Sequence, residues 1–167
     1  CFTIRVQPLL ILDLNGVLCH RSRKHREPTG VQLRPSAGNV AGTPIIPRND
    51  ILEFLNILDQ YFCLAIWTSA TRKTDRGLLD ILVPPNLQHR FLFVWAQSEC
   101  HAVHTDNDVI FEKLLDKAWK AFPLWNADNT LLIDDSPDKC PYAIANAVHP
   151  PPIHGQRSPP IIIDSHD

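Results

Sequence analysis

Methionine is missing altogether, glycine occurs only six times, and the chain starts at Cys1, already close to an apolar run. The missing methionine and this start point to a domain trimmed from a longer protein or to a processed N-terminus. No apolar run approaches the roughly 18 residues needed to cross a bilayer, and no secretory signal opens the chain, so direct membrane insertion is not expected. The five cysteines, at positions 1, 19, 63, 100 and 140, are odd in number and include no Cys-x-x-Cys pair. That is a poor disulfide framework and a poor zinc framework, and it fits a reducing, intracellular compartment. An excess of one charge is lacking too: 16 Lys and Arg face 18 Asp and Glu, a net charge of −2. A polycation built to coat nucleic acid is thereby excluded, which weighs against nucleic acid as the primary ligand. What is present is ordinary globular material, 167 residues with 44% hydrophobic and 20% charged content, the size of one domain.

Four short runs are almost wholly apolar: Pro8–Asp13, Phe62–Thr68, Phe91–Trp95 and Thr130–Asp135. Such runs fit strands buried on both faces, as in a parallel sheet covered by helices. Helical patterns lie between them. Pro47–Tyr61 offers Asn49 and Asp50 as caps and an apolar face of Ile51, Leu55 and Leu58. Thr71–Leu82 is a shorter helix candidate closed by Pro84 and Pro85. Asp108–Phe122 carries Ile110, Leu114, Ala118 and Phe122 at intervals of four, and Pro137–Ala147 reads as one more short helix. Strands alternating with helices predict an α/β fold with right-handed crossovers. Two segments break the rhythm: Cys19–Pro47, rich in Gly and Pro, and His149–Pro160, expected to run over the surface before a final strand at Ile161–Ile163.

Ligands of an open parallel sheet bind at the carboxyl ends of its strands. Asp13 ends the first apolar run, Thr68 and Ser69 the second, and Asp134 and Asp135 the fourth, so these groups should meet in one crevice. A lone Asp after a strand is usually a turn residue or a helix cap, whereas the ordered set is harder to dismiss. Thr68 and Ser69 have a bland alternative as caps of the helix beginning near Thr71. Lys113 has one as a solvated helix lysine like Lys117 and Lys120. The run His20-Arg21-Ser22-Arg23-Lys24-His25-Arg26 is either an anion-steering patch at the crevice mouth or a solvated loop. Cys100, His101 and His104 lack a second pair of metal-ligand spacing and read as surface residues. The tryptophans lie mainly on apolar segments and read as core.

In this order, Asp13-Leu14-Asn15-Gly16-Val17-Leu18, Ile66-Trp67-Thr68-Ser69-Ala70, Lys113 with Leu115 and Trp119, and Asp134-Asp135-Ser136-Pro137 resemble the haloacid dehalogenase superfamily. Within it the likeness is to the small phosphatases acting on the C-terminal repeats of RNA polymerase II, the NLI-interacting-factor-like branch. The resemblance implies a Rossmann-like core, a mainly parallel sheet flanked by helices, and a single phosphatase-like domain over 1–167. Its core would span about 8–150, followed by a proline-rich segment at 151–167. No stretch is long enough for a large cap domain, and an open crevice favours a phosphorylated protein or peptide over a small metabolite. The resemblance further implies that Asp13 is the nucleophile forming an aspartyl-phosphate. Mg²⁺ would be held by Asp13, the Asn15 carbonyl and the Asp134–Asp135 pair, with the choice between these two aspartates left open. Lys113, Thr68 and Ser69 would bind the phosphoryl oxygens.

Asn15 departs from the pattern. The family's phosphatases place a second aspartate there, which protonates the leaving oxygen and then helps water attack the intermediate. An amide does neither. Three readings follow: an enzyme weak or restricted to good leaving groups, a pseudophosphatase binding phosphorylated or acidic partners, or an engineered intermediate trap. The first ranks ahead of the second. The same fold with degraded motifs also serves as the presequence receptor of the mitochondrial inner-membrane translocase. Retention of Asp13, Lys113, Asp134 and Asp135 favours phosphate chemistry. The expected setting is nuclear or cytoplasmic, with mitochondrial as the alternative, and the expected state is monomeric.

Overall fold

Leu9–Leu12 form β1, whose every side chain is buried. It lies at the centre of a five-stranded parallel sheet. In chain order the further elements are β2 (Cys19–Arg21), β3 (Gly38–Val40), β4 (Thr43–Pro47), α1 (Ile51–Tyr61), β5 (Cys63–Trp67), α2 (Arg72–Leu82) and α3 (Pro85–Gln88). Then come β6 (Val94–Trp95), β7 (His101–His104), β8 (Val109–Glu112), α4 (Leu115–Ala121), β9 (Thr130–Ile133) and β10 (Ala147–Val148). This computed structural model describes residues 6–22 and 32–155. The main sheet runs β10-β9-β1-β5-β6, and every pairing in it is parallel.

Side chains alternate across β1 and so feed two cores. Leu10 and Leu12 join Leu64, Ile66, Leu55 and Leu78 on the face covered by α1 and α2. Leu9 and Ile11 join Ala65, Trp67, Leu115 and Ala118 on the face covered by α4. Burial on both faces is what the continuous apolar runs required. The expected α/β architecture is therefore the observed one, although the strand at Phe91–Trp95 shortens to Val94–Trp95.

Four local expectations need correction. The helix expected over Asp108–Phe122 is split. Val109, Ile110 and Phe111, β-branched and aromatic, enter β8 and pair antiparallel with β7, and only Leu115–Ala121 is helical. Pro137–Ala147 yields one 3₁₀ turn, Pro137–Lys139, because Pro141 has no N–H to continue a helix; Ala147 and Val148 instead add the edge strand β10. Cys19–Pro47 contains an antiparallel sheet of order β2-β4-β3. At α1, Asp50 holds the cap position in a left-handed conformation (φ 52°) and its side chain caps nothing. The described part of the proline-rich segment is tied down: Ile153 N donates to Gly16 O at 2.8 Å, and Gly155 is buried. The final strand expected at Ile161–Ile163 lies outside the described residues.

Asp75 is a costly feature of α2. It faces the core, neither carboxylate oxygen has a hydrogen-bond partner among the described residues, and Arg72 Nη1 is 3.6 Å away. Burial raises its pKa from 3.8 to about 6, only partly opposed by Arg72. Since the folded value lies above the unfolded one, the folded protein holds this proton more tightly. Its contribution to stability is full below about pH 4 and is lost as pH rises through 6. Asp75→Asn should therefore raise stability at pH 7 by about 2 kcal/mol and change it little at pH 4, as read by urea denaturation at both values.

Candidate active site

Register sets the site. Leu12 pairs with Ile66 of β5 and with Ile133 of β9, so the chain leaves all three strands level. Asp13, Thr68, Asp134 and Asp135 consequently emerge side by side at the carboxyl edge of the sheet. Asp13 N donates to Ile133 O at 2.9 Å and Thr68 N to Trp95 O at 2.9 Å, which extends the ladder to the site.

Lys113 enters from the link between β8 and α4 and is buried, not solvated. Its Nζ lies 2.5 Å from Asp134 Oδ2 and 3.2 Å from Asp13 Oδ1, and its backbone N donates to Lys139 O at 2.7 Å. Burial alone would lower the ammonium's pKa, but Asp13 and Asp134 override it and hold it above the ordinary lysine value. Asp134 has both oxygens engaged, since Ser136 N donates to Oδ1 at 2.9 Å. The His149 ring nitrogen Nδ1 lies 2.7 Å from the Asp134 carbonyl. Asp135 is half-buried and accepts a long bond from Ser136 Oγ, 3.4 Å. Burial pushes the Asp13 carboxyl upward although Lys113 pulls it down, and burial followed by Asp134 does the same to Asp135.

The cluster is therefore short of positive charge. Asp13, Asp134 and Asp135 offer oxygens all within 4.8 Å of one another, and they are the one such group among the described residues. Oxygen-only donors suit a hard cation such as Mg²⁺ far better than zinc. Of the adjacent aspartates, Asp135 has the freer oxygens. Cys100, His101 and His104 form no metal group, and both histidines point to solvent from β7.

Gly16 makes room for this arrangement. Its φ is +87°, and a Cβ at this position would run into the Asp135 carboxylate. Gly16→Ala should cost about 1–3 kcal/mol, measured by urea denaturation, because strain and collision act together.

A cleft of about 580 Å³ opens over Asp13, lined by Asn15, Thr68, Ser69, Arg21 and Lys139 among others. Asn15 is exposed, and its Oδ1 accepts from Arg21 N at 3.1 Å. Thr68 and Ser69 do not cap α2. Thr71 does, accepting from Thr74 N, while Thr68 Oγ1 accepts from Ala70 N at 3.2 Å. Of the basic run, His20 and Arg21 line the cleft, and residues 23–26 lie outside the described residues. Cys19 and Cys140 are buried, and burial with nearby Asp13 or Asp134 pushes both thiols up to about 12, so neither is a ready nucleophile. Sequence reasoning missed Gly16, Lys139 and His149. Lys139 had one faint signal, as the lone basic residue in a stretch that begins with two aspartates.

A model of the NLI interacting factor-like phosphatase family matches residues 8–158. The chain belongs to that family. An uncharacterized FCP1 homology domain-containing protein of Schizosaccharomyces pombe is 26% identical over 152 residues, 85% of this chain and 57% of that protein. Two solved structures share the fold of this NLI interacting factor-like domain at 18% identity. One is Fcp1, described as an essential RNA polymerase II CTD phosphatase, with a TM-score of 0.61 over 89% of this chain and 42% of that one. The other is the fission yeast RNA polymerase II CTD phosphatase Fcp1 bound to beryllium fluoride, at 0.60 over 87% and 42%. An uncharacterized protein from Listeria monocytogenes serotype 4b follows at 0.51, with 17% identity over 78% of this chain and 68% of that one. The chain thus spans little more than half of its curated relative. No helix among the described residues is long and apolar enough to cross a membrane.

Proposed function

We propose that this domain hydrolyses phosphate monoesters on a phosphorylated protein, with Asp13 as nucleophile and Mg²⁺ as cofactor. The observation carrying the reading is that Asp13 opens into the cleft while sharing a buried charge cluster with Lys113, Asp134 and Asp135. Mg²⁺ would be held by Asp13, the Asn15 carbonyl and Asp135, and when bound it would offset the charge repulsion between carboxylate and phosphate. Lys113, 3.2 Å from Asp13 Oδ1, orients the nucleophile and meets a phosphoryl oxygen. The Asp13 carboxylate attacks phosphorus, the bond to the leaving oxygen breaks, and an aspartyl-phosphate forms. Water then attacks phosphorus, which releases phosphate and restores Asp13. Thr68 and Ser69, on the cleft wall, donate to phosphoryl oxygens.

Asn15 has no proton to give, so the leaving oxygen departs as an anion. Aryl phosphates, phosphotyrosine included, tolerate this better than alkyl ones. The relatives described as RNA polymerase II CTD phosphatases, together with a cleft that no large cap covers among the described residues, favour a phosphorylated flexible segment as substrate. The setting proposed is nuclear or cytoplasmic, with the phosphatase-like domain acting as a monomer. The second reading, a pseudophosphatase that binds phospho-ligands, draws on the neutral Asn15 amide held on Arg21 N.

The test is phosphate release from p-nitrophenyl phosphate and from phosphotyrosine and phosphoserine peptides, with Mg²⁺ or with chelator. Release by the natural chain that vanishes in chelator and in Asp13→Ala is the expected result. No release from any substrate overturns hydrolysis, and phosphopeptide binding without turnover establishes the binding module instead.

A further inference from the structure

Parallel pairing leaves a regular trail of backbone bonds, and between β9 and β10 that trail breaks at the carboxyl edge of the sheet. Leu132 N donates to Asn146 O at 2.7 Å, and Asp134 N donates to Val148 O at 3.2 Å. The next bond of a parallel ladder would run from the N–H of residue 150 to the Asp134 carbonyl. Residue 150 is a proline and has no N–H to give. An acceptor left unmet beside a buried carboxylate is costly. The His149 ring meets it instead, with Nδ1 2.7 Å from the Asp134 carbonyl oxygen. A carbonyl oxygen only accepts, so Nδ1 carries the proton and donates.

That carbonyl belongs to the peptide unit joining Asp134 to Asp135. The unit is planar, so a bond that fixes its oxygen also fixes the direction in which the chain enters Asp135. The two aspartates differ in how much they need this. The Asp134 side chain is already held at both oxygens, by Lys113 Nζ at 2.5 Å and by Ser136 N at 2.9 Å. The Asp135 side chain accepts the 3.4 Å bond from Ser136 Oγ and lies over Gly16, in space that a Cβ there would invade. Gly16 gives the carboxylate its room, and the backbone gives it its direction.

We propose that His149 is a positioning residue of the cation site: standing in for the missing Pro150 N–H, it fixes the Asp134 carbonyl and so aims the Asp135 carboxylate. This rests on the reading that Asp135 holds Mg²⁺. His149 is itself exposed, so it supplies direction without filling the core, and replacing it opens no cavity.

The experiment titrates Mg²⁺ alone into the chain by calorimetry, with no substrate present, and follows urea denaturation of each variant in chelator. His149→Phe keeps a ring and loses the donor. Its Mg²⁺ Kd should rise about ten- to a hundredfold, the usual loss when a group supporting a metal ligand is removed. His149→Asn places an amide nitrogen as many bonds from the backbone as Nδ1, and it should recover most of the affinity. His104→Phe, on β7, should leave the Kd as it is. Unchanged Mg²⁺ affinity in His149→Phe overturns the assignment. So does a loss that His149→Asn fails to recover, or a His149→Phe chain that no longer unfolds cooperatively in chelator, since either makes the role one of packing. A natural chain with no Mg²⁺ affinity brings down the cation reading and this assignment together, whereas a natural chain that binds Mg²⁺ separates the two.

Discussion

Asn15→Asp should accelerate phosphate release from a phosphoserine peptide by about 10²–10⁴, the range typical of a positioned general acid–base group. The substitution changes one terminal atom. Asn15 sits exposed at the cleft wall with Oδ1 on Arg21 N at 3.1 Å. A carboxylate keeps that bond through one oxygen and turns the other toward the leaving group. The backbone carbonyl proposed as a Mg²⁺ ligand is untouched. Because phenolate leaves without help, the gain with p-nitrophenyl phosphate should be far smaller. The ratio of kcat/KM for the two substrates, measured for both proteins, is the deciding quantity. An equal gain for both, or none for either, would place the deficit somewhere other than proton transfer.

Lys113→Met should destabilise the fold by about 3–5 kcal/mol at pH 7, the loss expected when a buried ion pair is broken from one side. Two carboxylates, Asp13 and Asp134, would be left in the protein interior without the ammonium that contacts them both. They can relieve the cost by binding protons, so the loss should shrink as pH falls toward 4. In the natural chain the linkage lies at the other end of the scale. The Lys113 pKa is raised in the fold, so its contribution is present below the ordinary lysine value and is lost only in strong alkali. Urea denaturation of the two proteins at pH 4.5 and 7 measures the difference. A loss independent of pH in that range would mean that packing of the lysine stem, not its charge, is what matters.

The parts of this structure that were legible in sequence share a physical cause. Strands buried on both faces need unbroken apolar runs, and a polar residue that ends such a run is conspicuous, which is why Asp13, Thr68 and Asp134 could be singled out together. Lys113 was expected at the site, with a solvated helix lysine as the alternative, and the structure buries it. The four-residue rhythm of Ile110, Leu114, Ala118 and Phe122 misled, since the pairing of Val109–Glu112 with His101–His104 leaves no mark on helical periodicity. Pro44 and Pro47 disguised the strand Thr43–Pro47 as loop. Lys139 escaped notice because a turn of three residues brings it to the cleft wall, and such turns carry almost no pattern.

The central position of Leu9–Leu12 has a consequence for how the site comes into being. This strand pairs with Cys63–Trp67 on one side and with Thr130–Ile133 on the other, segments distant in the chain. Closing contacts over such separations is slow and entropically expensive, and it leaves little room for a partly assembled state. A nascent or clipped chain lacking the last third holds Asp13 without Asp134, Asp135 or Lys139, and so has half a cradle and no counter-charge. On the proposed reading, the site is assembled only once Thr130–Ile133 has paired with Leu9–Leu12.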